Sequence, residues 1–321
     1  MVFPEFAVHC CRHPRAAYMG ITEHKNDEVN LLVPVLDRVA DEPKYNLSVC
    51  LAPIYGNDSK WLLLVELIEH YKLQGVQHLY IYVKDIDNYS RMLVEDYERS
   101  GEIEVVYLRR ENDRFGSEWQ LAGIEDCLQR SRHHSRYAIF TDLDERILAL
   151  GDQTLAEYVQ KAMTEKPNIG TLTFQKTIVM RTRNPPTMYE GEQTVKNHLP
   201  TLVFHNTSAP IKEGGKCVVD PRRVLLMWIH EAYLYFPGFE GAPVPPNQAL
   251  IRHYRINAGA RWIARMQNNK RLRRENFTLT DYPEKLMKLL YTSVEKRLAR
   301  VYPVKQSLLS LFMNTISDFI N

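Results

Sequence analysis

Between Asn46 and Glu145 short apolar runs alternate with amphipathic stretches, and this alternation constrains the fold more than any other feature of the chain. Leu47-Ser48-Val49-Cys50-Leu51-Ala52-Pro53 reads as a strand stopped by its proline. A turn follows at Ile54-Tyr55-Gly56-Asn57, with Asp58 or Ser59 as the cap of the next helix. In that helix Trp61, Leu64, Val65, Ile68 and Tyr71 recur at helical spacing, and Gly75 supplies a stop. Residues 76–83 form a second strand running into Lys84-Asp85. Residues 90–99 form a second helix closed by Gly101, and 103–108 a third strand. Residues 118–130 form a third helix, and Tyr137-Ala138-Ile139-Phe140 a fourth strand. Such alternation predicts a parallel sheet with right-handed crossovers, the Rossmann-type half of an α/β nucleotide-binding fold.

The stretch Thr141-Asp142-Leu143-Asp144-Glu145 follows the fourth strand directly. In open α/β sheets ligands bind beyond the carboxyl ends of the strands, so these carboxylates fall on the expected ligand edge. Residues two apart on a strand face the same side, which aims Asp142 and Asp144 into one space and Leu143 toward the core. Two carboxylates there repel unless a proton or cation joins them. Their hard oxygens suit Mn²⁺ or Mg²⁺ bridging to a diphosphate; a charged turn is the bland alternative.

A chain of 321 residues has room for one large α/β domain or two smaller ones, with a sizeable core. A net charge of +2 argues neither for a nucleic-acid partner nor for an acidic tail, and no nucleic-acid partner is expected. The basic run Lys270-Arg271-Leu272-Arg273-Arg274, with Arg261 and Arg265, then reads as a solvated helix face, or as cations closing over a diphosphate. No apolar stretch is long enough to span a membrane, and no signal peptide is visible. Sequons at Asn46, Asn57, Asn88, Asn206 and Asn276 point toward the secretory pathway. Cys10, Cys11, Cys50, Cys127 and Cys217 fit either disulfides with one thiol left over or buried thiols.

Residues 1–46 read as an N-terminal extension packed on the main domain, with short strands at Leu31-Leu32-Val33 and Val35-Leu36. Beyond Gly151, 154–163 reads as a helix, 169–174 as a strand, and 184–197 as a loop around Pro185-Pro186. Leu202-Val203-Phe204-His205 and 250–255 read as strands, 283–302 as an amphipathic helix, and the last fifteen residues as partly apolar helix. The expected division is 47–275 as the main domain, split at 150 into a nucleotide-binding half and a mixed half, with 276–321 as C-terminal helices.

The motifs, taken in order, resemble glycosyltransferase family 92. They are Pro53-Ile54-Tyr55-Gly56 with Trp61-Leu62, residues 69–76, Asp126-Cys127-Leu128, Phe140 to Glu145, Gly215-Lys216-Cys217-Val218-Val219-Asp220-Pro221 and His253-Tyr254-Arg255. The resemblance implies a GT-A fold, a nucleotide-sugar donor, a Mn²⁺-type ion at Asp142 and Asp144, and inverting transfer. Galactose moving from UDP-galactose to the core fucose of N-glycans is the reaction it suggests. It also implies a Golgi type II membrane protein, whose anchor this sequence does not show. His253 becomes the expected third metal ligand, with His230 as its alternative and Glu145 as a ligand or an orienting group.

Tyr55 and Gly56 would approach the nucleoside, Asp85 the uracil or ribose, and Gln120 and Asp126 the donor more loosely. Inversion needs a general base, for which Asp220 and Glu231 are the candidates. Two rival readings stand beside this one. A non-catalytic lumenal glycan-binding or scaffold relative would keep the fold without turnover, and a nucleotidyltransferase would use the same metal and nucleotide.

Overall fold

The computed structural model describes residues 13–109, 111, 116–256, 268 and 277–303. The chain opens with β1 (Tyr18–Met19) and β2 (Val33–Pro34), paired antiparallel. Then comes the predicted alternation: β3 (Tyr45–Ile54), α1 (Trp61–Leu73), β4 (His78–Val83), α2 (Asn88–Arg99), β5 (Ile103–Tyr107), α3 (Gly116–Ser131) and β6 (Ser135–Thr141). These four strands are parallel and lie in the order β6-β3-β4-β5. The chain therefore reverses its direction of travel across the sheet between β3 and β6, and the crevice beyond that pair is the switch point where α/β sheets bind ligands. Every residue of β4 is buried, as expected of a strand covered on both faces.

In α1, every residue from Trp61 to Tyr71 is buried, so it has no solvent face. Its outer side is covered by α7 (Glu284–Val301), whose Leu290, Val294 and Leu298 join the same core. The C-terminal helix thus completes the main core instead of standing beside it. Neither Asp58 nor Ser59 caps α1: its N-cap is Lys60, without a side-chain bond. Asp58 instead accepts from Lys60 Nζ at 2.8 Å.

The second half is mixed. After β7 (Glu145–Ala149) come α4 (Leu155–Glu165), entered through a Thr154–Glu157 capping box, and the long β8 (Ile169–Arg181). There follow α5 (Glu192–His198), α6 (Pro200–Val203), β9 (Asn206–Ser208), β10 (Ile211–Val219), β11 (Val224–Met227), β12 (Ala232–Tyr235), β13 (Glu240–Pro243), β14 (Ala249–Ile256) and β15 (Phe277–Leu279). The main sheet has 11 strands and runs β15-β9-β8-β10-β6-β3-β4-β5 along its principal path. β8 is its hub, antiparallel to β10 and parallel to β13 and β14, while β14 also runs antiparallel to β7. The α/β expectation holds, with a Rossmann-type parallel half and a mixed second half in one sheet.

Three local expectations are corrected. The run 202–205 is not a strand: Pro200 begins the short helix α6, and Phe204 leaves it extended. The loop 184–197 contains α5. The N-terminal extension, where described, is corrected only in the means of its packing: Ile21 and Leu31 are each 72% exposed, and polar contacts such as Arg38 to Glu104, not these apolar residues, tie it to the main domain. The basic run 270–274, with Arg261 and Arg265, and the last fifteen residues lie outside the described residues.

Cys50 on β3 and Cys127 on α3 form a disulfide, their Cα atoms 5.9 Å apart. Cys217 is a buried free thiol, and Cys10 and Cys11 lie outside the described residues. Among the described residues no helix is long and apolar enough to cross a membrane.

Candidate active site

β6 ends at Thr141 and β7 begins at Glu145, so Asp142-Leu143-Asp144 is the link between two strands. The Glu145 amide closes the link on the Asp142 carbonyl at 3.1 Å, and Leu143 packs against the main core. The two aspartates line a cavity of about 550 Å³ at the switch point, together with Pro53, Tyr55, Arg181 and His253.

His253 is set by register. β14 lies against β7 with His253 opposite Glu145, and the Tyr254 amide donates to the Asp144 carbonyl at 2.8 Å. His253 Nε2 is consequently 3.2 Å from Asp144 Oδ2, while its Nδ1 lies 3.4 Å from Glu145 Oε1. Charge opposite charge moves both groups. Burial alone would raise Asp144, but the charge and hydrogen bond of His253, with Arg181 behind, hold it down to about 2. Burial alone would lower His253, and the Asp144 carboxylate raises it instead.

Asp142 has a different set of partners. Its Oδ1 accepts from Gln120 Nε2 at 3.3 Å, and its Oδ2 is 2.9 Å from Lys216 Nζ. Lys216 is 2% exposed and also lies 3.8 Å from Glu145. Its pKa is raised: burial opposes the charged form, but the Glu145 and Asp142 carboxylates outweigh it. Glu145 is buried under these groups and accepts the Asp142 amide at 3.0 Å. Burial, then the neighbouring Asp142 charge, push its carboxyl up to about 7 against the pull of Lys216 and His253. Glu145 thus lies beneath the two aspartates, in contact with the Asp142 amide, Lys216 and His253.

The backbone that delivers Lys216 depends on glycine. A Cβ on Gly215 would stand 2.1 Å from the Phe174 carbonyl oxygen on β8, so only glycine lets β10 pass that close.

Of the sequence candidates, Asp142, Asp144, His253 and Gln120 come together. Tyr55 is 68% exposed at the cavity rim, next to Gly56, which turns at φ 77° and whose carbonyl accepts from Lys60. Asp85 stays at the same sheet edge, its amide on the Ile54 carbonyl, but does not line the cavity. Asp126 is not there: it accepts from Tyr82 and Arg130 on the flank of α3.

Asp220 is also elsewhere. β10 runs antiparallel to β6 with Val219 opposite Ala138, so Asp220 lies toward the amino end of β6, away from Asp142. It is 1% exposed and ion-paired with Arg222 and Arg223, which makes it a structural turn residue. Glu231 is exposed in the β11–β12 turn, does not line the cavity, and its charge acts on Cys217 and Tyr235. His230, beside it, does feel Asp142, and its Nδ1 is 3.1 Å from the Gly215 carbonyl. Sequence reasoning gave no role to Lys216 or Arg181. Lys216 sits inside a quoted motif, so the signal was present; Arg181 ends a long strand and carries none.

A divalent cation fits this donor set. A carboxylate oxygen and an imidazole nitrogen 3.2 Å apart have the spacing of two neighbouring ligands on one ion, each about 2.1 Å from it. Asp144 and His253 would hold it, with Asp142 kept beside them by its Lys216 and Gln120 contacts. His253 Nδ1, buried and without a hydrogen-bond partner, faces Glu145, the arrangement that orients a metal-binding histidine.

A parallel half-sheet with carboxylates and an imidazole at its switch-point crevice places the chain among open-sheet α/β proteins with a ligand crevice at the strand ends. The chain belongs to glycosyltransferase family 92, whose model matches residues 45–290. A Caenorhabditis elegans protein named beta-1,4-galactosyltransferase galt-1 is 28% identical over 212 residues, 58% of this chain and 50% of that protein. The C. elegans family 92 protein F59C6.8 is 23% identical over 231 residues, 68% of this chain and 43% of that one. The chain thus spans about half the length of these relatives. Among solved structures, the mannosyltransferase PcManGT of Pyrobaculum calidifontis with GDP-Man and Mn²⁺ overlays with a TM-score of 0.39, at 11% identity over 88% of this chain and 82% of that one. GalNAc-T7 with UDP, GalNAc and Mn²⁺ gives 0.40, at 10% identity over 68% and 45%. These overlays are loose, and the fold assignment rests on strand order and family.

Proposed function

We propose that this chain is a metal-dependent, inverting glycosyltransferase that moves a sugar, foremost galactose from UDP-galactose, to a glycan acceptor such as the core fucose of N-glycans. The observation that carries it is the Asp144–His253 pair, 3.2 Å apart, at the switch-point cavity with Asp142 beside it. Family membership supports glycosyl transfer, and the galactosyltransferase name of one relative supports the donor.

A bound Mn²⁺ or Mg²⁺ would supply Lewis-acid stabilisation of the diphosphate leaving group. The remaining work falls to the chain's own residues. Tyr55 offers its exposed ring at the rim for the base to stack on, and Arg181 lines the cavity with a guanidinium that complements phosphate. Lys216 holds Asp142 in place without entering the open space.

Inversion requires a proton acceptor at the attacking hydroxyl, whose oxygen bonds to the anomeric carbon as the sugar–phosphate bond breaks and UDP departs. We assign this to His230, which lies outside the cavity lining but close enough to feel the Asp142 charge, in place of Asp220 and Glu231. The Gly215 carbonyl can only accept, so His230 Nδ1 carries the proton and Nε2 keeps its lone pair. Burial, then the Lys216 and Lys176 cations, lower its pKa and keep the ring neutral at pH 7. His230→Gln should lower kcat by about 10²–10⁴-fold, with little change in donor binding, and remove the acid limb of the pH–rate profile. A kcat within threefold of the parent, or an unmoved acid limb, would reject the assignment. The Cys50–Cys127 bridge and the sequons support a lumenal, Golgi setting, because disulfides persist in oxidising compartments.

A further inference from the structure

At the opposite edge of the parallel sheet, His78, Glu104 and His134 each offer a ligand atom, and these atoms all lie within 4.8 Å of one another. His78 opens β4, Glu104 is near the start of β5, and His134 immediately precedes β6. The cluster is about 20 Å from the Lys84-Asp85 end of β4, at about 3.3 Å per strand residue, and so is distinct from the site at Asp144. We propose that His78, Glu104 and His134 form a second metal site, selective for Zn²⁺-type ions, in which Arg38 now stands in for the cation.

The donors set the chemistry. Two imidazoles and one carboxylate suit Zn²⁺ and the neighbouring first-row ions such as Fe²⁺, whereas Mg²⁺ and Ca²⁺ prefer oxygen alone. The geometry leaves one of the three, His78, without a hydrogen-bond partner. The His78 side chain is 7% exposed, yet neither of its ring nitrogens makes a hydrogen bond. A buried polar ring left so is costly. Its plane is held by Tyr45, stacked at 4.5 Å and 3°. Its Nε2 is 3.6 Å from Glu104 Oε2, too long for a good hydrogen bond but short enough for two ligands of one ion.

His134 Nδ1 lies 2.6 Å from the Tyr80 hydroxyl and 3.2 Å from Arg38 Nη1. Because Arg38 can only donate, that nitrogen is the acceptor of the ring, its lone pair now shared by the Tyr80 hydroxyl and Arg38, both of which an ion would displace. Arg38 Nη2 reaches both Glu104 oxygens at 2.8 Å. A cation from the N-terminal segment therefore already occupies the space an ion would take. Arg130 also touches Glu104 at 3.0 Å, but it is bound to Asp126 as well, so its charge is answered when an ion enters. Metal entry would then displace Arg38 and free the segment that carries it.

The test is Zn²⁺ titration of the full chain against a chromophoric chelator, in the parent and in Asp144→Asn. One Zn²⁺ equivalent should persist in Asp144→Asn and weaken by more than about a hundredfold in both His78→Gln and His134→Gln. Arg38→Ala, which removes a partly exposed side chain and the competing cation, should tighten it by about tenfold. Absence of any such equivalent, its loss with Asp144, or its survival in both histidine variants would overturn the second site. Unchanged or weaker binding in Arg38→Ala would overturn the competition. The catalytic reading stands or falls separately, because it depends on Asp144 and not on these residues.

Discussion

Replacing Arg297 with alanine should destabilise the whole nucleotide half, although the residue is far along the chain from it. Arg297 projects from α7 and is 8% exposed. Its Nη1 is 2.8 Å from Asp96, its Nη2 binds Glu102, its Nε is 3.6 Å from Glu69, and its guanidinium carbon is 3.8 Å from the Tyr97 ring centroid. Removing one partner of a buried ion pair costs about 3–5 kcal/mol. Each carboxylate keeps another partner: Glu69 and Glu102 keep Lys72, and Asp96 keeps Arg300. The loss should therefore sit near the lower end, about 3 kcal/mol, or roughly 5–10 °C in Tm.

The effect has a pH signature. Burial alone would raise Glu102, but hydrogen bonds from Lys72, Arg297 and Ser100 hold it to about 2, against an ordinary 4.5. A carboxyl lowered by folding contributes stability above its unfolded pKa, and that contribution is lost as pH falls toward the folded value. The difference between Arg297→Ala and the parent should be largest at pH 7 and narrow between pH 4.5 and 2. Urea unfolding at pH 7, 5 and 3.5 measures it. A loss below about 1 kcal/mol at pH 7, or a difference that widens in acid, would refute the claim that this cluster fixes α7 to the core.

Two further perturbations address the site and the frame that carries it. Lys216→Met strips Asp142 and Glu145 of their common cation and should cost about 3 kcal/mol in urea unfolding while weakening UDP binding; a stable variant with parental affinity would remove Lys216 from the site. Reducing the Cys50–Cys127 bridge, which spans 77 residues of chain, should cost about 4 kcal/mol on the chain-entropy scale, read as a fall in Tm under reductant; an unchanged Tm would mean that the bridge does not form.

The parallel half was legible because its signals are local. Each strand from β3 to β6 is an apolar run bounded by turn residues, and each helix repeats its apolar side chains at helical spacing. The carboxylate pair followed from the same reading, since the end of a predicted strand fixes which edge Asp142 and Asp144 occupy. The second half was less legible because its pairings are distant in sequence. Nothing around Ile251 announces that β14 will lie between β7 and β8, yet that register alone brings His253 to Asp144. His253 was reached through family resemblance and not through spacing.

Asp220 misled because a carboxylate next to a motif looks functional, whereas its strand runs antiparallel to β6 and carries it to the far end. Asp58 and Ser59 misled for another reason. Helix α1 is buried from its first turn, and tertiary packing, not a capping side chain, holds its amino end. The run at 202–205 was too short for its period to separate strand from helix.

The central claim is that Asp144 and His253 hold a divalent ion against a nucleoside diphosphate at the switch-point cavity. Calorimetric titration of the folded chain with UDP, with and without Mn²⁺, for the parent and Asp144→Asn, tests it most directly. The account predicts UDP binding that requires Mn²⁺ in the parent and is lost in Asp144→Asn, whose fold by circular dichroism is unchanged. Binding that is indifferent to Mn²⁺ or to Asp144, or absent from a folded parent, would contradict it and leave a family 92 fold without the chemistry proposed for it.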